Sequence, residues 1–567
     1  MLEASKMKLV EQLVTGSQTE ELIWLNGYIA GLLAGKKGLE QPVPVTSKPL
    51  VNKITIAFGT ETGNSKRLAS SFAAKAKKAG INAKIVDLNQ YRLNDLQKEE
   101  YFITVVSTHG DGEPPAAAKK FFDHIHVNGS KLEKMNYGVI ALGDSSYPLF
   151  CKAGEQVDLQ LSKMGAQRLL PLQKCDVDYE ADAEAWFDQV LKQLSSSSSA
   201  STASVAAPAV VKKSTGKKIY TGTVLTSVNL NDTGSNKETY HIEIEAEDVE
   251  YLPGDALGVV PENPQQKVEA IIKLLELDGE KKYAFRNEEY TAFDLLKKKV
   301  EIVYLPERVV SAYAGLVNQD IPATRISLLD LLKIYPLKNS DQFEQLVGIL
   351  EPIAPRLYSI SSSPEAHSGE VHITVARDKF SVNDEVKYGL CSNFLAQFEV
   401  GQEIQFYIHK NNQFRLPEED KEVIMIGPGT GIAPFRSFIA HRDATGASGK
   451  NWLFFGDQHF VTDFLYQTEI QNWVETGSLS KIDLAFSRDQ QEKVYVQHKM
   501  KKKGKELYEW LQNGATLYVC GAKEPMSVDV ENALVEVVQE YGGKKAEEAV
   551  EFINQLKSDG RYLKDVY

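Results

Sequence analysis

Gly427-Pro428-Gly429-Thr430-Gly431-Ile432-Ala433-Pro434 and Gly59-Thr60-Glu61-Thr62-Gly63-Asn64-Ser65 are the stretches of this sequence best suited to gripping an anion. Each follows a short apolar run, Val423-Ile424-Met425-Ile426 in one case and Ile54-Thr55-Ile56-Ala57-Phe58 in the other, and each opens a helix-like segment. Strand, small-residue turn and helix in that order aim free backbone N–H groups and a helix N-terminus at phosphate. The Gly59–Ser65 turn, the first along the chain, lacks the G-x-x-x-x-G-K-[ST] pattern, so it is not a Walker loop. Two such turns call for two phosphorylated ligands, and for chemistry passed between cofactors.

Two more loops extend the first site. Ser107-Thr108-His109-Gly110-Asp111-Gly112-Glu113-Pro114-Pro115 and Leu142-Gly143-Asp144-Ser145-Ser146-Tyr147 both follow strand-like runs. In an open α/β sheet, ligands bind outside the carboxyl ends of the strands. The Thr60 and Thr62 hydroxyls with backbone amides suit one phosphate, and the other two loops can flank a flat ring, with Tyr147 as a stacking face.

Farther along, Arg356-Leu357-Tyr358-Ser359 reads as a strand in which arginine and tyrosine share a face. A guanidinium beside an aromatic ring suits a pyrophosphate with an attached flavin. Gly389-Leu390-Cys391-Ser392 reads as a turn opening a helix, a second cradle for the same pyrophosphate. Ser487-Arg488 and Lys493-Val494-Tyr495-Val496-Gln497 supply the cations and hydroxyls that a 2′-phosphate needs, which favours NADP over NAD. No acidic residue at the usual spacing after Gly429 presents itself as a ribose ligand.

The elements around these residues divide the chain. At 567 residues it is too long for one core. Residues 1–50 form an N-terminal helix and a proline-bearing linker; the helix, with Ile23, Leu25, Tyr28, Ile29, Leu32 and Leu33, either docks on its own domain or joins chains. Alternating strands and helices over 51–194, including a strand over Gln167–Leu172, predict a doubly wound domain. A serine-rich tether spans 195–216. Alternating β texture over 217–264 and 351–418 predicts an antiparallel barrel split by a helical insert over 265–350. Residues 419–567 return to α/β.

Composition sets further bounds. A hydrophobic content of 43% and charged content of 25% are those of ordinary globular protein, and the net charge of −13 argues against nucleic-acid binding. Cys151, Cys175, Cys391 and Cys520 have no C-x-x-C spacing, which fits a reducing cytoplasm and no metal site. No apolar run is long enough for a membrane span. Asp111, Glu113, Asp144, Asp176, Asp178, Glu180, Asp182 and Glu184 either dock a basic partner or form a solvated face.

On its three loops, the 51–194 segment resembles flavodoxin-like FMN modules. The resemblance implies a phosphate cradle at Thr60, Glu61, Thr62, Gly63, Asn64 and Ser65. It also implies ring contacts from Ser107, Thr108, His109 and Gly110, and from Leu142, Gly143, Asp144, Ser145, Ser146, Tyr147, Phe150 and Cys151. His109 stands where relatives often carry glutamine and is read as a backbone contact of the loop.

The remainder resembles the ferredoxin–NADP reductase superfamily, and the order of modules resembles the diflavin reductases. That implies FAD held by Arg356, Leu357, Tyr358, Ser359, Thr374, Val375, Ala376, Phe380, Gly389, Leu390, Cys391 and Ser392. It implies NADPH held by Gly429, Thr430, Ser487, Arg488, Lys493, Val494, Tyr495, Val496, Gln497 and Asp529. Ser359, Cys520 and Asp565 would surround the hydride path, with Tyr567 stacked on the FAD ring; the other reading of Cys520 is a core thiol. Relatives often show Cys-Gly-Asp where this chain has Cys520-Gly521-Ala522.

Asn451–Gly456, Asp463–Gln467, Ser487–Gln490, Arg561–Tyr567 and Trp24–Tyr28 resemble most the NADPH-dependent sulfite reductase flavoprotein α-components. The resemblance implies hydride uptake from NADPH onto FAD and single-electron relay to FMN. It further implies delivery to a separate hemoprotein β-subunit bearing siroheme and an iron–sulfur cluster, with the N-terminal segment serving homo-oligomer assembly. A soluble NADPH–cytochrome P450 or other hemoprotein reductase is the alternative.

Overall fold

The computed structural model describes residues 51–60, 63–109, 112–127, 131–144, 149–176, 179–195, 218–286, 288–322, 324, 326–338, 341–382 and 385–567. The N-terminal helix, the serine tether and residues Glu61, Thr62, Gly110, Asp111, Ser145, Ser146, Tyr147 and Asp178 lie outside them. The chain divides into two compact units, one holding the described residues up to 195 and the other those from 218 onward.

In the first unit, strands β1 (Lys53–Gly59), β2 (Asn82–Asp87), β3 (Tyr101–Ser107), β4 (Asn136–Leu142), β5 (Gln167–Arg168) and β6 (Gln173–Cys175) form one parallel sheet. Its order is β2-β1-β3-β4-β5, with β6 also on β4. That is a doubly wound order whose switch point lies between β1 and β3. The central strands are apolar almost throughout because helices cover both faces. Ile54, Ile56, Ile103, Val105 and Ile140 pack on one side with Phe72 and Phe187, whose rings stack 4.2 Å apart. Phe102, Val106 and Val139 pack on the other with Phe121 and Val157.

The strand expected over Gln167–Leu172 is interrupted. Pairing with β4 holds only at Gln167 and Arg168 and resumes at Gln173. Pro171, with no N–H to donate, lies in the gap. Two of the acidic residues read as a surface serve the domain itself: Glu180 pairs with Arg67, and Glu184 with Lys75 and Ser71.

In the second unit, β7 (Ile219–Asn229), β8 (Thr239–Glu245) and β9 (Ala256–Val259) open an antiparallel sheet. The insert then intervenes. It carries a hairpin of β10 (Lys282–Phe285) and β11 (Glu288–Thr291) that the helical reading missed, followed by helices Glu307–Val317, Leu328–Ile334 and Asp341–Ile349. Its core, from Val268 to Leu350, is its own. The sheet resumes with β12 (Arg356–Ser359) and β13 (Glu370–Ala376), then a hairpin of β14 (Lys379–Val382) and β15 (Glu385–Tyr388), then β16 (Glu403–His409). The order β12-β9-β16-β7-β8-β13 closes through a bridge between Ile360 and Ile373, making the expected barrel.

A parallel sheet of β17 (Val423–Ile426), β18 (Asn451–Asp457), β19 (Lys481–Phe486), β20 (Thr516–Gly521) and β21 (Tyr562–Val566) follows, in the order β19-β18-β17-β20-β21. Among the described residues no helix is long and apolar enough to cross a membrane.

The seam between barrel and parallel sheet is polar and buried. Arg436 forms a bidentate pair with Glu469 and donates to the Ser361 carbonyl at 2.9 Å and to His372 Nδ1 at 3.1 Å. His372 Nε2 faces Glu370 Oε2 at 2.7 Å, and His241 spans Tyr466 and Glu243, 3.0 Å from each.

Candidate active site and nucleotide loops

The first anion turn leaves β1 where Gly59 is pressed against the next loop: a Cβ there would lie 2.7 Å from that of Ala118. Gly63 takes a left-handed conformation, φ 91°, and donates its N–H to Thr60 Oγ1 at 2.8 Å. The helix Asn64–Lys78 starts without a side-chain cap and without an acid in its first turn, so its first N–H groups face outward from the strand end. Ser65 is fully buried there, and its hydroxyl has no hydrogen-bond partner among the described residues. A buried hydroxyl beside uncapped N–H groups fits a phosphate that completes the set.

The other two loops meet at the ends of β3 and β4. Thr108 N–H donates to the Leu142 carbonyl at 2.9 Å, and its hydroxyl accepts from the N–H of Ala153, capping the helix Lys152–Lys163. His109 exchanges backbone hydrogen bonds with Glu113, the loop role read from sequence. Gly143 allows a close approach, since a Cβ would lie 2.9 Å from the N of Cys151. Cys151 is fully buried, its thiol donating to the Ala141 carbonyl at 3.1 Å, and burial pushes that thiol up to about 12. Its side chain therefore faces the core; what it can offer a ring is backbone.

In the barrel, Arg356 and Tyr358 pair across to Val259 and Leu257 of β9, with Arg356 exposed and Tyr358 half-buried. Gly389 N–H donates to the Asp378 carbonyl at 3.0 Å, and the Ser392 hydroxyl holds the same turn through Asp378 N–H. Phe380 lies 5.6 Å from the Tyr304 ring of the insert, an aromatic edge beside the turn. Ala376 is exposed and Leu357 partly so, while Cys391 is buried, its thiol pushed up to about 11. The side chains of Thr374 and Val375 are buried within the protein, so what these two can offer a ligand is backbone. Thr374 Oγ1 lies 2.6 Å from the Tyr466 hydroxyl in the seam, and Val375 is packed in the barrel core. The sequence did not single out Arg377, which clamps Asn393 and Glu238 and covers the Tyr388 ring at 4.0 Å.

The expected hydride residues converge. β20 and β21 place Cys520 opposite Asp565 in register. The Ser359 hydroxyl, at the end of β12, donates to Asp565 Oδ2 at 2.8 Å, and Cys520 Sγ lies 3.9 Å from the same oxygen. Burial raises the Asp565 carboxyl and pushes the Cys520 thiol well up, so sulfur is held as a neutral thiol. Tyr567 is 65% exposed, yet its backbone is tied to Gly521 and Lys523 and its hydroxyl lies 2.7 Å from Thr430 Oγ1. The Gly427–Pro434 turn thus touches the hydride cluster directly: a Cβ on Gly431 would lie 2.2 Å from the Cys520 carbonyl oxygen. Ser359, Asp565 and Cys520 thus bring a hydroxyl, a carboxyl and a thiol together, and Thr430 lies in the turn that opens the helix Ala433–Thr445.

Ser487 and Arg488 extend β19, their N–H groups donating to the carbonyls of Asp457 and Gln458 at 2.9 Å each. Arg488 and Lys493 are exposed, and Tyr495 is 43% exposed. Gln497 Nε2 donates to Asp529 Oδ2 at 3.2 Å, joining two of the expected contacts. Val496 is buried in the domain core and Val494 packs against it, so these two offer backbone only.

Comparison with known proteins follows the same division. A flavodoxin family model matches residues 56–186, an FAD binding domain model 212–303 and 318–394, and an oxidoreductase NAD-binding domain model 425–532. The chain is 38% identical to the sulfite reductase [NADPH] flavoprotein alpha-component of Bacillus subtilis, across 99% of this chain and 98% of that protein. It is 39% identical to the protein of that name from Shewanella sp. strain ANA-3, across 100% and 98%. For that of Aliivibrio fischeri the identity is 39%, across 98% and 97%.

Proposed function

We propose, for a chain that belongs to the family of NADPH-dependent sulfite reductase flavoprotein alpha-components, that it draws hydride from NADPH and hands single electrons to a separate hemoprotein subunit that reduces sulfite to sulfide. It is an NADPH-dependent diflavin oxidoreductase with FMN and FAD as cofactors. Bound flavin supplies the conversion of a two-electron donor into one-electron steps. The chain's own residues orient, shield and hydrogen-bond.

The observation that carries the reading is the meeting of Ser359, Cys520 and Asp565, with the Thr430–Tyr567 contact beside them. Residues from a flavin-type barrel and from a nucleotide sheet close on one point there. In this reading the Ser65 turn takes the FMN phosphate, with Thr60 to Asn64 around it, and Ser107 to Gly110 and Leu142 to Cys151 edge its ring. Arg356, Tyr358 and Gly389–Ser392 hold FAD. Gly429, Thr430, Ser487, Arg488, Lys493, Tyr495, Gln497 and Asp529 hold NADPH. The acceptor is a separate β-subunit bearing siroheme and an iron–sulfur cluster; such a cluster needs four cysteine ligands together, whereas Cys151 and Cys175 belong to one unit of this chain and Cys391 and Cys520 to the other. Residues 1–50 serve assembly of several copies, and the protein works in the cytoplasm.

The test is co-purification of the chain with its partner, followed by assay of NADPH-driven sulfide formation. A hemoprotein partner and sulfide are expected. A cytochrome P450 partner with no sulfide would overturn the acceptor assignment and leave the diflavin chemistry standing.

A further inference from the structure

Asp457 is a carboxylate placed where phosphate is expected. It ends β18, which follows the Gly427–Pro434 turn and its helix in the chain and lies beside β17 in the sheet. Its side chain is 2% exposed. Oδ1 accepts from the Gln458 N–H at 2.7 Å and from the Lys237 ammonium. Oδ2 is buried with no hydrogen-bond partner among the described residues, and a Cβ built on Gly429 would lie 3.9 Å from it. The unpaired oxygen therefore points into the phosphate turn.

An acceptor left unmade in the interior costs stability unless something completes it. The donors that a dinucleotide brings near its phosphates are ribose hydroxyls. In doubly wound sheets that bind NAD, an acid after the second strand takes the ribose 2′-OH. NADP carries phosphate at that position, so the hydroxyls left for such an acid are the adenosine 3′-OH and those of the nicotinamide ribose. Asp457 holds that place in the fold, although it lies farther from the glycines than the usual spacing. A bare carboxylate would repel the neighbouring phosphates. Lys237, from the connection between β7 and β8 of the barrel, cancels the charge through the other oxygen.

We propose that Asp457 Oδ2 accepts a hydrogen bond from a ribose hydroxyl of bound NADP(H), and that Lys237 is the counter-charge that lets a carboxylate stand at the phosphate turn. This rests on the assignment of the Gly427–Pro434 turn to the nucleotide. It makes the barrel, through one lysine, part of the nucleotide's affinity.

The experiment is calorimetric titration of the flavin-loaded full-length chain with NADP+. Asp457→Ala is expected to bind about tenfold more weakly, while Asp457→Asn, which keeps an acceptor oxygen in the same volume, stays within about threefold. Lys237→Gln is expected to weaken binding about tenfold or more alone, but less than about threefold in the Asp457→Asn background, a non-additive cycle. Unchanged or tighter binding by Asp457→Ala overturns the hydrogen bond. An equal loss from Lys237→Gln in both backgrounds overturns the counter-charge role, because it makes the lysine an independent phosphate contact. Arg488→Ala is the separate check: if it leaves NADP+ binding intact, the nucleotide assignment fails rather than the role of Asp457.

Discussion

Ser359 and Asp565 are 206 residues apart in the chain, and the hydroxyl of one donates to Oδ2 of the other at 2.8 Å. The serine ends a barrel strand and the aspartate sits on the edge strand of the parallel sheet, so in the proposed function the bond spans the place where flavin and nicotinamide meet. Removing a preorganised donor from such a place costs about 100-fold or more in the chemical step. Ser359→Ala is expected to slow single-turnover reduction of FAD by NADPH to that extent while NADP+ affinity, measured by calorimetry, holds. Equal losses in both would mean that the serine acts on binding.

Ser65 gives a prediction for the other end of the electron path. Its buried hydroxyl, without a partner among the described residues, is expected to bond to the FMN phosphate. Ser65→Ala should weaken FMN about tenfold. Ser65→Asp should put a negative charge against the phosphate and bring flavin content to about one per chain, with FAD retained. The FMN-to-FAD ratio of the purified variants is the measurement.

Gly431 is required by proximity. An added methyl would lie 2.2 Å from the Cys520 carbonyl oxygen, a backbone atom that cannot rotate away. Gly431→Ala is expected to push the phosphate turn off β20 and to cost about 1–3 kcal/mol of stability. The KM for NADPH should rise as Thr430 is carried away from Tyr567. Thermal unfolding and steady-state kinetics check the two halves separately.

His372 makes stability depend on acid. It is buried beside Arg436, and burial followed by that cation holds its pKa down to about 2. His241 and His367, whose rings lie 5.1 and 4.6 Å away, are held down as well, also by burial first, while Glu243 and Glu370 face the group from the same sheet. The unfolded histidine takes a proton near its ordinary value of about 6.5, and the folded one does not. Stability contributed by the neutral ring is therefore intact above about 6.5 and is lost as pH falls below it, by about 1.4 kcal/mol per pH unit for each such histidine. His372→Gln should flatten that slope by about one proton in denaturant titrations between pH 5 and 7. An unchanged slope would show that the seam is not its source.

Much of this was legible in the chain itself. Gly59–Ser65 and Gly427–Pro434 announce themselves because a backbone that must approach phosphate tolerates few side chains, and the flanking strands are buried on both faces. Ser359, Cys520, Asp565 and Tyr567 were joined around one path only by family resemblance; nothing in their types or spacing joins them, since it is the barrel strand and the β20–β21 register that bring the first three together. The inward turn of the Thr374 and Cys151 side chains was not legible in the sequence. Alternation along β13 gives two faces, and what covers one of them, the Tyr466 hydroxyl, comes from 92 residues away. Asp457 escaped notice because the longer helix and loop after Gly431 moved it past the expected spacing. The β10–β11 hairpin was hidden in an insert read by its general texture.

The pairing of β9 with β12 closes a loop over the whole insert, from Val259 to Arg356. Joining the ends of a flexible loop costs only about 0.6 kcal/mol more for each doubling of its length. The insert moreover buries its apolar residues among themselves, from Val268 to Leu350. The strand that carries Ser359 is thus thermodynamically insulated from the length of what interrupts the barrel. Insertions or deletions in the surface loops of that segment are paths along which a lineage can remodel an outer face while hydride chemistry stays in register.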